Sequence, residues 1–334
     1  MKKNYFLLAA TTMMFAACAQ TDMVNEVVTE EAPQAIGFET FANKQTRNSA
    51  STVLEDYHKT FGVWAFKTPS GGTESTVMPN YQVMNDDNGT GSKDWDYDGT
   101  NKPTGQVLKY WDKLASYKFY AYAPYAATGV SIDNTTKYIS IAAGEYAANE
   151  NLQAGNWGTG LNNKVFETST DWMIATTVSR AAGECDLVNE VFSHTMSKLV
   201  VAIQSSIANT IVKSVSINNV HGTGSYTTQT SKWTTTGTAK SISGVTGTIA
   251  AQNTPYYSME YLLIPSQDDP TLSIEYEING DTYTVTNAAI TPITAFEENY
   301  SYTLTVKIGL DPIEFDATVN PFSAPDPAPG VTIE

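Results

Sequence analysis

Cysteine is nearly missing from this chain: 334 residues contain two, Cys18 and Cys185. With so few, no internal disulfide framework exists, and stability must come from packed cores. Cys185 reads as a small apolar group. Histidine is scarce as well, with three residues, His58, His194 and His221. No HExxH, GxSxG, CxxC or GxGxxG pattern occurs. Catalysis needs convergent groups with tuned pKa values, and the spacing offers none. His194 reads as a structural side chain that hydrogen-bonds locally. No enzyme, cofactor or metal site is expected. Basic residues are few, 19 against 35 acidic ones, for a net charge of −16. That balance, with no basic cluster past the first few residues, opposes nucleic-acid or anionic-membrane binding by charge. No long segment has a 3.6-residue apolar period, so the chain is predicted to be all-β.

What is present starts with a targeting segment. Lys2 and Lys3 precede an apolar run from Tyr5 to Ala17 that is too short to span a membrane. The run ends Phe15-Ala16-Ala17-Cys18. Small residues followed at once by Cys resemble a bacterial lipobox, which implies a signal peptide over 1–17 and a lipid on Cys18. Plain secretion with an incidental Cys is the alternative. Residues 18–35 are acidic and polar and read as a flexible spacer.

The body is dense in short strand signals. Phe61 to Phe66, Tyr117 to Ala123, Lys137 to Ala142 and Asp171 to Ala175 read as strands, with Pro124 ending the second. Val191 to Ile203 reads as the strand opening a second domain, with Val191, Leu199, Val201 and Ile203 on one buried face. Leu272 to Ile278 and Asp281 to Val285 flank Asn279-Gly280, a hairpin signal, because a type I′ turn needs two residues tolerant of positive φ. Tyr300 to Val306 is a further strand. In the last one, Ile313, Phe315, Ala317 and Val319 alternate with Glu314, Asp316 and Thr318. The expected division is 36–185 and 186–320, two β-sandwiches, with a Pro-rich tail at 321–334.

Two local features have competing readings. Asp94-Trp95-Asp96-Tyr97-Asp98-Gly99 begins like a calcium loop, but the ninth position is Lys102 and the twelfth is Gly105. The other reading is a strand with Trp95 and Tyr97 on one face. Trp157 and Trp233 sit in polar surroundings and are candidates for a glycan- or protein-binding face, or for core packing.

Near the amino end, Ile36 and Phe38 alternate with Gly37 and Glu39, as in a half-buried strand. Residues 43–49, which include Arg47, are polar and breaker-rich, as an exposed loop is. Locally this is a first strand and loop, or a strand that can be cut away.

Seven pieces in order resemble the fimbrillin family, exported lipoprotein precursors of pilus subunits. They are the Cys18 lipobox, Ile36-Gly37-Phe38 to Thr46-Arg47, Phe61 to Phe66, Phe119 to Pro124, Asp171 to Ala175, Phe192 to Leu199, and Tyr300 to Val306 followed by Ile313-Glu314-Phe315. The resemblance implies two tandem transthyretin-like antiparallel β-sandwich domains. It implies a lipid anchor in the outer membrane, and then cleavage after Arg47 by an Arg- or Lys-specific protease. Loss of the first strand, carrying Ile36 and Phe38, opens a groove for a strand from another pilin subunit, giving a head-to-tail surface polymer used in adhesion. The candidate donor residues are Ile313, Phe315, Val319, Val331 and Ile333; the other reading of 312–320 is the last strand of its own domain. A monomeric surface lipoprotein that binds a glycan or host ligand is the rival function.

Overall fold

The structure, a computed structural model, describes residues 32–42, 54, 58–85, 95–99, 102–143, 170–221, 223–244, 246–266, 268–291, 293–309 and 313–321. Cys18, Arg47, Asp94, Trp157, Val331 and Ile333 lie outside them. Among the described residues there is no α-helix.

In chain order the strands are β1 (Phe38–Ala42), β2 (Thr60–Pro69), β3 (Ser75–Asn85), β4 (Trp95–Asp96), β5 (Ala115–Ala123), β6 (Val130–Ile132), β7 (Ile139–Ala143), β8 (Met173–Ala175), β9 (Val178–Arg180) and β10 (Val188–His194). They continue with β11 (Ser197–Ser205), β12 (Thr210–Val220), β13 (Thr223–Thr227), β14 (Lys232–Thr236), β15 (Lys240–Ser243), β16 (Gly247–Ile249), β17 (Tyr256–Leu263), β18 (Thr271–Ile278), β19 (Asp281–Ala289), β20 (Tyr300–Ile308) and β21 (Glu314–Pro321).

The first sheet runs β2-β3-β4-β1-β10-β8-β5, with β9 beside β5, and β5 pairs back onto β2. The two layers of the first sandwich are therefore segments of one hydrogen-bonded ring, and closure removes free edges. Every strand of that ring sends side chains into one core: Phe38 from β1, Phe61 and Val63 from β2, Met78 from β3, Trp95 from β4, Phe119 from β5, Met173 from β8, and Val188 and Phe192 from β10. Cys185 packs at its margin, as a small apolar group does.

The second sandwich faces β17-β11-β20-β21 against β15-β12-β18-β19, with β16 also on β12. Leu199, Val201 and Ile203 of β11 meet Val215 and Ile217 of β12 and Leu304 of β20 in its core. Asn279 and Gly280 turn β18 into β19 with φ of 53° and 92°, as a type I′ turn requires. Among the described residues two pairs are parallel, β1 on β10 and β11 on β20, and the others are antiparallel. Each parallel pair joins segments far apart in the chain, which a tight turn cannot connect.

The expected strand from Val191 to Ile203 is in fact two. Val188–His194 belongs to the first sheet, on β1 and β8, and the chain passes to the second sandwich at Thr195-Met196. The inward face switches there. In β10 the buried positions are Val188, Glu190, Phe192 and His194, so Val191 points away from the core. In β11 the core face is Leu199, Val201 and Ile203.

A small sheet, β14-β13-β7-β6, draws strands from both sides of residue 185. Val130, Ile139, Ile141 and Tyr226 pack there against Trp64, Phe66 and Tyr122, the outer faces of β2 and β5. Both faces of β2 are thus covered, which is why Phe61 to Phe66 reads as a continuous apolar run. Gly62 is required at this layer. Tyr122 lies across it, with ring atoms 2.3 Å from where a Cβ would stand. That ring cannot swing away, since it stacks on Trp64 at 5.3 Å and its hydroxyl donates to Asn80 Oδ1 at 2.9 Å. Gly62→Ala is expected to destabilise the protein by about 1–3 kcal/mol through overpacking, measured by urea unfolding.

Candidate functional site

The amino-terminal segment 34–42 is built into the first sandwich rather than laid on it. Ile36 and Phe38 are 2% and 4% exposed. Its first part runs antiparallel to residues 109–111: Ile36 N–H donates to Lys109 O at 2.9 Å, and Trp111 N–H to Gln34 O at 2.9 Å. Its second part, β1, pairs parallel with β10 from Phe38↔Val188 to Ala42↔Phe192 and touches β4 at Phe38↔Trp95. Val188 N–H donates to Gly37 O at 2.9 Å, and Gln34 Nε2 donates to Cys185 O at 2.7 Å. Lifting this one segment away strips the hydrogen-bonding edges of both β10 and residues 109–111.

Side chains complete the seat. The Phe38 ring meets Phe61 at 5.6 Å, Tyr97 at 5.8 Å and Phe119 at 6.0 Å, each edge to face. The Tyr97 hydroxyl donates to Ile36 O at 3.0 Å and accepts from Lys109 N–H at 3.2 Å. Burial pushes its pKa up to about 12, so it remains a donor.

Residues 95–99 serve this groove. Trp95 and Tyr97 are buried in the core, and Asp96 Oδ1 accepts from Gly99 N–H at 3.1 Å. Among the described residues no group of three or more His, Cys, Asp or Glu side chains gathers as a metal site would.

One position in the seat is not apolar, and sequence reasoning missed it. Glu190, inward on β10 between Val188 and Phe192, is 0% exposed, and neither carboxylate oxygen has a hydrogen-bond partner. Beside it in register is Thr40, 4% exposed, whose hydroxyl is also unpartnered. Burial pushes the Glu190 carboxyl up to about 8, against the opposing pull of Arg180. A glutamate in an alternating strand reads as the solvent face; only the parity of its buried neighbours, Val188 and Phe192, carried a signal.

Of the candidate donor residues, Ile313 and Phe315 pack partly against the second core, as does Ala317 between them and Val319, which is 46% exposed. β21 pairs with β20 along its whole length, from Tyr300↔Pro321 to Lys307↔Glu314, and forms the end of its sheet. In this form it is the end strand of its own sandwich, with one backbone edge unpaired among the described residues.

The histidines knit strands together. His194 Nδ1 lies 2.9 Å from Asp171 Oδ2, and His58 Nε2 donates to Asp171 O at 2.7 Å. Burial lowers the His58 pKa, outweighing the nearby Asp171. Trp233 Nε1 donates to Thr195 O at 2.6 Å, and its ring packs on Tyr226 at 5.5 Å. It also borders an open cavity of about 1230 Å³, lined in part by Lys232, Ser266, Glu298 and Asn299.

Comparison with known proteins gives a consistent frame. The family model described as Fimbrillin-like matches residues 46–321. Comparison with curated proteins finds no match. Among solved structures, a fimbrial protein from Bacteroides vulgatus is 15% identical, with 87% of this chain and 100% of that one covered and a TM-score of 0.58. A candidate cell adhesion protein from Bacteroides ovatus is 16% identical, covering 89% and 100%, at 0.57. One from Bacteroides uniformis is 17% identical, covering 86% and 98%, at 0.54. At these identities the likeness establishes the fold.

Proposed function

Because the chain belongs to the fimbrillin-like family, we propose that it is a structural subunit of a cell-surface pilus, stalk or tip, that supports adhesion and exchanges its first strand during assembly. It reaches the outer membrane with a lipid on Cys18. An Arg- or Lys-specific protease cuts after Arg47, and the segment carrying Ile36 and Phe38 leaves. A strand from another pilin subunit then fills the groove, by pairing with β10 and residues 109–111. At the far end, Ile313, Phe315 and Val319, with Val331 and Ile333 beyond, are the residues this subunit would offer in turn. Such a contact is head-to-tail and does not close on itself, so it grows a filament.

One observation carries the reading. The segment preceding Arg47 supplies a core ring, Phe38, that touches three others, and two backbone edges depend on it. A protein that loses such a segment is left with an open groove and must be completed from outside.

The test is to treat the full-length protein with an Arg-specific protease, and to compare the product with protein recovered from the cell surface. The expected mature amino terminus is Asn48, accompanied by heat-resistant ladders on a gel. Recovery of surface protein that still carries residues 19–47 and a lipid, stays monomeric and captures a glycan or host ligand would overturn the reading in favour of a monomeric binding lipoprotein.

A further inference from the structure

The groove under residues 34–42 is not uniformly apolar, and its exception carries information about what fits there. Ile36 and Phe38 fill apolar space well. Two residues on, Thr40 and Glu190 face inward side by side, each buried and each without a hydrogen bond. A buried carboxyl without a donor is costly, by more than any single apolar contact nearby returns. The present occupant therefore seats Ile36 and Phe38 and leaves the buried Glu190 carboxyl unsatisfied. Thr is too short to supply what a carboxylate accepts best, a charged donor on a long stem.

We propose that the lasting occupant of this groove is a strand from another subunit that places a lysine or arginine where Thr40 now sits, ion-paired to Glu190. This rests on the strand-exchange reading and names the partner for it. Glu190 is already out of water, so the attraction of a pair has to offset only the release of its proton and the desolvation of the incoming cation. The exchange then has a direction: the first strand is an imperfect complement, and the incoming one supplies the missing donor. The same chemistry excludes one source. Residues 308–334 contain no Lys or Arg, and the β21 residues flanking its apolar face are Glu314, Asp316 and Thr318. That segment of a second copy leaves Glu190 as unpaired as Thr40 does, so it is not the strand that the groove favours.

The test uses the full-length chain cleaved after Arg47 in the presence of labelled peptides copying residues 34–42. The peptides carry the native Thr40, Thr40→Lys, Thr40→Leu or Thr40→Glu. Bound peptide is read by fluorescence polarisation. The Lys peptide is expected to bind about ten-fold tighter than the Leu peptide, and the Glu peptide weakest of all. The Lys advantage should vanish on the Glu190→Gln protein; Glu190→Leu serves the same purpose should the first variant fold poorly. A Leu peptide that binds as well as the Lys peptide, or a Lys advantage that survives Glu190→Gln, overturns the cation preference and leaves strand exchange standing. If none of the peptides binds, the native one included, strand exchange itself fails.

Discussion

Replacing Phe38 by alanine should lower the stability of the uncleaved protein by about 3–5 kcal/mol, among the largest effects any single truncation here can have. The size follows from the site. Phe38 is 4% exposed and touches the rings of Phe61, Tyr97 and Phe119, none of which can close the void without breaking its own contacts. Phe61 is held by Trp95 at 5.2 Å and Phe192 at 5.5 Å, and Phe119 by Trp111 at 5.8 Å. The surroundings therefore relax little, and the cavity cost adds to the lost transfer energy. Urea unfolding of the full-length protein is the measurement. The same substitution should speed release of the 34–42 segment after cleavage at Arg47, because fewer contacts hold it. A loss below about 1 kcal/mol, the level of an exposed position, would mean that β1 is not seated in the core in solution.

The second large effect is on pH dependence and centres on Glu190. Its carboxyl is raised from the ordinary 4.5 to about 8 in the folded chain. The folded state therefore holds a proton that the unfolded state has released between those two values. Stability is greatest below pH 4.5, as far as this group is concerned, and falls as pH rises through 8. The slope is about 1.4 kcal/mol per pH unit, so the whole window is worth about 3–5 kcal/mol. His58, with its pKa lowered, acts the other way: the unfolded chain binds its proton more tightly, so its contribution grows as pH rises towards 6.5. Glu298 is raised by burial and follows the sign of Glu190. The difference between wild type and Glu190→Gln cancels both. That difference should widen in favour of the variant from pH 5 to pH 8, reaching about 2–4 kcal/mol near pH 7.5. A flat difference would place the carboxyl in contact with water or with a partner.

Both predictions bear on one economy of construction. The strand that completes the first sandwich also covers a group that is comfortable only when protonated or paired. Protease action at Arg47 would expose a groove whose apolar sockets and buried carboxyl together describe the strand required next.

The sequence by itself determined the elements that depend on neighbours along the chain. The period-2 pattern at Ile36 and Phe38, the apolar run at Phe61 to Phe66, and the Asn279-Gly280 turn all stand where the residues place them, because alternation and turn chemistry are properties of a few consecutive residues. Tertiary structure alone decided the rest. Nothing local says that Val188–His194 joins the first sheet, that β1 lies parallel to it across some 150 residues, or that β5 closes the ring onto β2. Those pairings are chosen by which edges remain open once the other strands have packed. The same choice turned Glu190 inward: a strand has two equivalent faces until an opposite layer covers one, and here the first core covers the face that carries Val188, Glu190 and Phe192.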